Sequence, residues 1–204
     1  MIVQKSISPG AWALLFTLAW GGSFLANRLA LEEVGVFTTV AFRVTGAAIA
    51  LWIYVIVRRL EVPLHPTALL AFLVLGFLNN AVPFSLIVWG QQYIPSGLAG
   101  ILNASTAIFT VLLATFAFSD ERLTKRKALG VALGFIGVAT AVGLNNLQTL
   151  DLRSMGQLAL IGSSIAYAVS ALIGRVAFNA IRPEVSAAGM LTGASIFMIP
   201  LALW

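Results

Sequence analysis

The sequence predicts an all-α, polytopic membrane protein, and three observations support that fold class. Of the 204 residues, 60% are apolar and only 9% are charged, whereas a soluble domain has about 25% charged residues. The mean hydropathy is +0.99, and a globule of this size cannot bury so much apolar surface in one core. The apolar residues fall in stretches of about 20, the length of a membrane-spanning helix. This composition excludes a soluble enzyme, a disordered chain and a nucleic-acid-binding domain.

Seven stretches are long and apolar enough to be spans, and short polar connections separate them. The seventh stretch reaches Trp204 without a flanking charge or turn, so we expect the sequence to be incomplete at its carboxyl end. The predicted spans cover residues 10–28, 36–57, 66–93, 96–118, 128–145, 156–178 and 185–204.

The charges in the connections predict the orientation of the chain, because short loops rich in Lys and Arg stay on the cytoplasmic side. With the amino terminus inside, only Arg28 and Arg153 face outward, and Arg43 lies within a span. We therefore predict a multi-pass protein of the cell inner membrane with a cytoplasmic amino terminus. The residues assigned to the cytoplasmic side are Lys5, Arg58, Arg59, Arg122, Lys125, Arg126, Lys127, Arg175 and Arg182.

An internal repeat predicts how the spans are arranged. Shifting the sequence by 147 residues gives ten identities over residues 10–57, and Trp20 falls on Tyr167. Spans one and two recur as six and seven, so the repeat holds five spans and its second copy enters the membrane with opposite polarity. Such inverted repeats are typical of alternating-access transporters. We predict a first five-helix repeat over residues 1–150 and the incomplete start of an inverted second one over 151–204.

Polar and aromatic residues within the spans are the candidates for substrate binding. Arg43 is the only full charge inside a span, which is costly unless the charge is paired or hydrated; alternatively, it snorkels or binds backbone carbonyls. Trp20 and Tyr167, as repeat mates, would face each other across the pseudo-two-fold axis and suit flat or cationic substrates. The alternative for this pair is ordinary packing.

Two further groups of polar residues lie at mid-span. Asn79 and Asn80 precede Pro83, which frees the carbonyl of Asn79; they either line a cavity or bond neighbouring helices. Asn103 and Thr106 share one face of span four, where the hydroxyl either meets the cavity or bonds its own helix. The predicted substrate-binding residues are Trp20, Ser23, Arg43, Asn79, Asn80, Asn103, Thr106 and Tyr167.

The sequence predicts no catalytic residue, metal or cofactor. It contains no Cys and one His, His65, and no acidic residue lies inside a predicted span. A membrane-embedded enzyme would need a base or a metal, so that class is a remote alternative. The GxxxG pairs Gly130/Gly134 and Gly189/Gly193 are typical of close helix packing.

The order and spacing of several short motifs identify a family resemblance. Residues 96–106, Phe109 and Thr110 are followed by Asp120-Glu121-Arg122-Leu123-Thr124 and by Gly130, Gly134, Gly137 and Val138; Trp20–Phe24 and Phe42-Arg43 also fit. Over essentially its whole length the chain resembles the EamA family of the drug/metabolite transporter superfamily. The resemblance implies ten helices in two inverted halves and export of amino acids, other metabolites or drugs. One departure is Ala107, where the family often has a proline kink.

We therefore predict a secondary transporter that exports small metabolites, amino-acid-like or drug-like, by alternating access. A flippase for lipids or lipid headgroups, with the same architecture, is the alternative. The predicted partners are a small-molecule substrate and the lipid bilayer, without nucleic acid, and a homodimer is left open.

Overall fold

A computed structural model describes residues 8–120, 123–151 and 154–204. Lys5, Glu121, Arg122 and Arg153, named in the sequence analysis, lie outside these ranges. The described residues form helices without any strand, and a short 3₁₀ segment, Leu144–Thr149, follows the fifth helix. The helices are α1 Pro9–Ala30, α2 Val36–Val57, α3 Pro66–Gly90, α4 Ser96–Ala117, α5 Lys125–Val142, α6 Met155–Ala177 and α7 Pro183–Leu203.

Each helix coincides with a predicted stretch to within three residues at either end. The starts have local causes: Pro9, Pro66 and Pro183 occupy the first turns of α1, α3 and α7, where the missing N–H has no intrahelical partner to lose. Ser8 and Thr124 accept from backbone N–H groups of the first turns of α1 and α5, as N-cap residues do.

Within the described ranges, five helices, α2, α3, α4, α6 and α7, are long and apolar enough to cross a membrane. Their outward faces carry large apolar side chains, such as Phe42 and Phe116, which are 76% and 86% exposed. Such surface needs a bilayer around it. The fold class is therefore confirmed as an all-helical, polytopic membrane protein. Helices α1 and α5 are not among the five, so seven spans stay a prediction.

Helices α3 and α4 are each interrupted near mid-length. In α3 the interruption is a π-helical segment, Phe77–Ala81, which ends two residues before Pro83, and such wide turns recur at functional sites. In α4 the chain leaves the α-helix at Ser105, although Ala107 stands where a kinking proline is often found. There the Ser105 hydroxyl donates to the carbonyl of Leu102 at 2.6 Å, so side-chain bonding accompanies the break without proline.

Helices α2 and α7 pack side by side and run antiparallel. The Thr45 hydroxyl donates to that of Ser195 at 3.2 Å, and the Trp52 indole N–H donates to the Thr192 hydroxyl at 2.7 Å. As the residue number rises along α2, the number of the contacting residue in α7 falls, so the two helices run in opposite directions. These two helices are the ones that the 147-residue shift relates.

Helices α1 and α6, the other related pair, also run in opposite directions. Trp20 and Tyr167 meet near the midpoints of the two helices, with ring centroids 6.5 Å apart. Towards the end of α1, Arg28 donates to the carbonyl of Gln91, just after α3. Gly156, at the start of α6, packs against the same end of α3. The end of α1 and the beginning of α6 therefore lie on one side of the molecule.

The two GxxxG pairs differ in their surroundings. Gly189 and Gly193 lie directly against Phe72 of α3, whereas Gly130 and Gly134 have nothing within 4 Å of an added Cβ among the described residues. The packing prediction is therefore confirmed for the pair in α7.

Candidate functional site

Three aromatic rings from three helices meet at the middle of the bundle. Tyr167, near the midpoint of α6, has Trp20 of α1 at 6.5 Å and Phe84 of α3 at 6.3 Å between ring centroids. The Tyr167 hydroxyl is buried and has no hydrogen-bond partner among the described residues. A buried hydroxyl normally finds a partner, so the Tyr167 hydroxyl is a candidate for binding a polar ligand.

A cavity of about 530 Å³ adjoins this aromatic cluster and lies between α1, α4 and α5. Trp20, Phe24, Ser96 and Asn103 are among the residues that line it. Asn103 is 8% exposed, and its Oδ1 atom has no hydrogen-bond partner within the described ranges. Most of the remaining wall is apolar, as is usual for small-molecule sites with a few placed polar groups.

Helix α6 fixes the position of the Asn103 turn. The Ser164 hydroxyl, one turn before Tyr167, donates to the carbonyl of Leu102 at 3.3 Å. Through Ser164 and Tyr167, α6 therefore reaches both the interrupted turn of α4 and the aromatic cluster.

Arg43 points into the bundle rather than out of it. One guanidinium nitrogen donates to Oδ1 of Asn27 at 3.1 Å, and the guanidinium carbon lies 4.2 Å from the ring centroid of Phe84. Stacking on an aromatic face stabilises a desolvated cation. Because Phe84 also contacts Tyr167, Arg43 belongs to the same cluster, although its direct partner is a protein amide.

A chain of buried amides continues from Arg43 to the end of α3. Nδ2 of Asn27 donates to Oε1 of Gln91 at 3.2 Å, and Nε2 of Gln91 donates to the Phe24 carbonyl at 2.9 Å and to the Ser96 hydroxyl at 3.1 Å. Asn27 is 4% exposed and Gln91 is fully buried. This network joins α1, α2, α3 and α4 at one end of the cavity.

The asparagines of the π-helical segment lie in two environments. Oδ1 of Asn79 accepts from the Ser170 hydroxyl at 2.6 Å, one turn beyond Tyr167 on α6. Asn80 is 6% exposed, and its Nδ2 atom has no partner in the described part of the chain. Asn80 is thus the third predicted residue with an unsatisfied buried polar atom.

The remaining predicted residues bond their own helices. Ser23 donates to the carbonyl of Trp20 at 2.7 Å, and Thr106 donates to that of Asn103 at 2.7 Å. The structure therefore brings together Trp20, Tyr167, Arg43 and, through the cavity wall, Asn103. Of the predicted residues, only Trp20 and Asn103 line that cavity. Tyr167 adjoins it through Trp20, and the lining does not include Ser23, Arg43, Asn79, Asn80 or Thr106.

Two arginines that the repeat relates tie helices together at opposite ends of the bundle. Arg28 bonds the Gln91 carbonyl at 2.6 Å beside the amide network. Its repeat mate, Arg175, forms an ion pair of 2.8 Å with Asp120, just after α4, and stacks on Phe118 at 4.5 Å. One contact, Arg28–Gln91, therefore lies at one end of the bundle, and the other, Arg175–Asp120, lies at the opposite end.

Sequence reasoning missed Asn27, Phe84 and Gln91. Asn27 lies two residues before a predicted loop and Gln91 lies among residues assigned to a connection, so both read as surface positions. The available signal was the polarity of Asn27 and Gln91 at the ends of apolar stretches. No group of three or more His, Cys, Asp or Glu residues that could hold a metal occurs in the described ranges.

Comparison with known proteins gives several relatives, some of which are named as transporters or efflux pumps. The chain is 27% identical to protein PagO of Salmonella typhimurium over 187 residues, which is 87% of this chain and 61% of PagO. It is 33% identical to a probable amino-acid metabolite efflux pump of the same organism, over 67% of this chain and 44% of the pump. It is 25% identical to the uncharacterized inner membrane transporter YedA of Escherichia coli, over 93% of this chain and 60% of YedA.

The chain therefore spans about 60% of the length of PagO and YedA. No solved structure matches it. The model of the EamA-like transporter family matches residues 8–143, more than half of the chain. These findings agree with the predicted class, a transporter rather than an enzyme, and the chain belongs to the EamA-like transporter family.

Proposed function

We propose that this chain forms the substrate-binding part of a secondary transporter that exports small metabolites, amino-acid-like or drug-like, across the cell inner membrane. The family membership and the relative named as an amino-acid metabolite efflux pump support the substrate class. The proposed binding site comprises Trp20, Arg43, Asn103 and Tyr167.

The observation that carries this proposal is a pair of unsatisfied polar atoms at mid-depth. The Tyr167 hydroxyl and Oδ1 of Asn103 are buried without partners in the described chain. Trp20 contacts the ring of Tyr167 and lines the cavity together with Asn103. Each such atom costs about 1–3 kcal/mol, and a membrane interior offers no water to offset that cost. A ligand with a polar group and a flat apolar part would satisfy both atoms while stacking on Trp20.

Alternating access is the mechanism that we infer from the arrangement of the related helices. The pairs α1/α6 and α2/α7 run antiparallel, as two halves of an inverted repeat would. The contacts of Arg28 and Arg175 lie at opposite ends and are both formed in this structure, so release of one while the other holds would open the site to one side at a time. The cytoplasmic amino terminus is part of this proposal and follows from the charge distribution.

We also propose that transport does not require a proton gradient. Proton-coupled transporters usually carry an intramembrane acidic residue or His. In the described chain, the acidic residues lie in connections or, for Glu184, in the first turn of α7. Facilitated diffusion or exchange is the mode that these residues favour.

The test is counterflow in proteoliposomes, measured with a panel of radiolabelled neutral amino acids and with the fluorescent cation ethidium. We expect counterflow of at least one probe without a pH gradient. Tyr167→Phe should reduce it about tenfold while raising thermal stability, since the substitution removes a buried, unsatisfied hydroxyl. Tyr93→Phe, at a residue that is 62% exposed, should change neither quantity.

Two results would argue against this proposal. Transport that disappears whenever the pH gradient is removed would contradict the coupling mode. Full activity of Tyr167→Phe would remove Tyr167 from the binding site.

One observation favours the flippase as a second candidate. The 530 Å³ cavity is lined partly by Phe16 and Leu25, which are 68% and 59% exposed, so it opens sideways between helices. Headgroup passage along a membrane-facing groove would use such an opening. Scrambling of a fluorescent phospholipid in the same proteoliposomes would favour the flippase, and counterflow without scrambling would favour the exporter.

A further inference from the structure

We propose that a basic cavity at one end of the bundle binds the phosphate of an anionic phospholipid, and that the adjoining groove holds one of its acyl chains. The cavity measures about 590 Å³ and lies where α2 and α6 end and α3 and α7 begin. Arg58, Arg59 and Arg182 line it together with Glu61 and His65. It is separate from the substrate site, so this inference does not depend on the transport proposal.

The charges of the cavity suit a monoanionic phosphodiester. Arg182 lies 3.5 Å from Glu184, and Glu61 shares the cavity wall. Three guanidinium groups against two carboxylates leave one positive charge in excess. Helix α7 also begins here, but the carboxylate of Glu184 already lies in its first turn, so the attraction for a phosphate comes from the arginines. Basic pockets between membrane helices commonly bind lipid headgroups.

An apolar groove of about 290 Å³ continues from this cavity along the membrane-facing surface of α3 and α7. Val62 lines both spaces. The groove wall then follows Leu69 of α3 and runs along α7 from Gly189 to Ile196, a depth of roughly 10 Å at the helical rise. A soluble anion would bind in the basic cavity and leave the apolar groove empty. A phospholipid would place its phosphate in the cavity and an acyl chain in the groove.

The backbone at Arg59 supports a role for its side chain. Arg59 has φ 49°, in the left-handed region where glycine is favoured. It ends α2 in a Schellman arrangement, in which N–H of Leu60 bonds the carbonyl of Val55 and N–H of Arg59 bonds that of Ile56. An arginine at this position strains the backbone, and its side chain lines the cavity.

The test measures lipid binding by native mass spectrometry and thermal midpoints in detergent. The probes are phosphatidylglycerol, phosphatidylcholine and inorganic phosphate. We expect phosphatidylglycerol to bind and raise the midpoint, phosphatidylcholine to do so more weakly, and inorganic phosphate to have no effect at the same concentration.

Three variants separate the charge from the groove. Arg59→Gly should raise the midpoint without lipid, because it relieves the strained φ, and weaken phosphatidylglycerol binding about fivefold. Leu69→Trp, at a residue that is 43% exposed, should fill the groove and weaken phosphatidylglycerol binding to a similar extent. Lys125→Gln removes a cation from α5, outside the cavity, and should leave binding unchanged.

Each contrary outcome overturns a stated part. If inorganic phosphate raised the midpoint as much as phosphatidylglycerol does, the cavity would be a site for soluble anions. If phosphatidylcholine bound as tightly as phosphatidylglycerol, the site would not recognise the charge of the headgroup. Unchanged phosphatidylglycerol binding by Arg59→Gly and Leu69→Trp would place the lipid elsewhere.

Discussion

Replacing Gly193 with alanine is expected to destabilise the protein by about 1–3 kcal/mol, the usual cost of overpacking a close contact. An added Cβ would collide with the Phe72 carbonyl oxygen and would lie 3.0 Å from Cα of Leu73. Both obstacles are backbone atoms of α3, so no side-chain rotation relieves them. The measurement is the thermal midpoint of the purified protein in detergent, together with its monodispersity.

Gly46, the repeat mate of Gly193, provides the matched control. An added Cβ at Gly46 has nothing within 4 Å among the described residues. Gly46→Ala should therefore leave the midpoint unchanged or raise it, since alanine is favoured over glycine in a helix by about 1 kcal/mol. Equal effects of the two substitutions would mean that α3 and α7 do not pack as described.

Replacing Gln91 with methionine is expected to destabilise the protein by about 2–4 kcal/mol. The side chain is fully buried, donates to Phe24 and Ser96, and accepts from Asn27. Methionine keeps the volume but removes three buried hydrogen bonds and leaves Nδ2 of Asn27 without its acceptor, which alone costs about 1–3 kcal/mol. The loss of stability should appear in the thermal midpoint in detergent.

The neighbouring Gln92 is exposed and makes the natural comparison. Gln92→Met should change the midpoint little, because an exposed amide exchanges its partners with solvent. If Gln91→Met were as stable as Gln92→Met, the amide network would contribute nothing to the packing of α1 against α3 and α4.

Hydropathy was sufficient to place the helices, because the membrane requires long apolar stretches and the breaks between them are polar. The break in α4 shows the limit of pattern reasoning. The absence of proline at Ala107 argued against a kink, but α4 is interrupted at Ser105, where the Ser105 hydroxyl donates to the carbonyl of Leu102. Local side-chain bonding of this kind leaves no periodic signal.

The aromatic pair shows what a repeat adds to hydropathy. Trp20 and Tyr167 are far apart in sequence, and only their relation by the 147-residue shift suggested that they meet. By contrast, Ser23 and Thr106 bond their own helices, and nothing in the sequence distinguishes that state from a hydroxyl facing a cavity.

Asn27 and Gln91 were missed for a different reason. Each lies at the end of an apolar stretch, where polar residues usually meet water or headgroups. Their burial results from the packing of α1 against the end of α3 and the start of α4, and that packing is a tertiary property. A sequence without aligned relatives does not reveal it.

Cysteine accessibility at Asn103 tests the central claim most directly, because the chain has no Cys of its own. Asn103→Cys and Ala107→Cys lie one turn apart at the middle of the same predicted span, the first in the cavity wall and the second exposed on the outer face. A membrane-impermeant maleimide applied to proteoliposomes should label Asn103→Cys much faster than Ala107→Cys. Labelling of Asn103→Cys no faster than that of Ala107→Cys would contradict a water-accessible binding cavity at mid-depth.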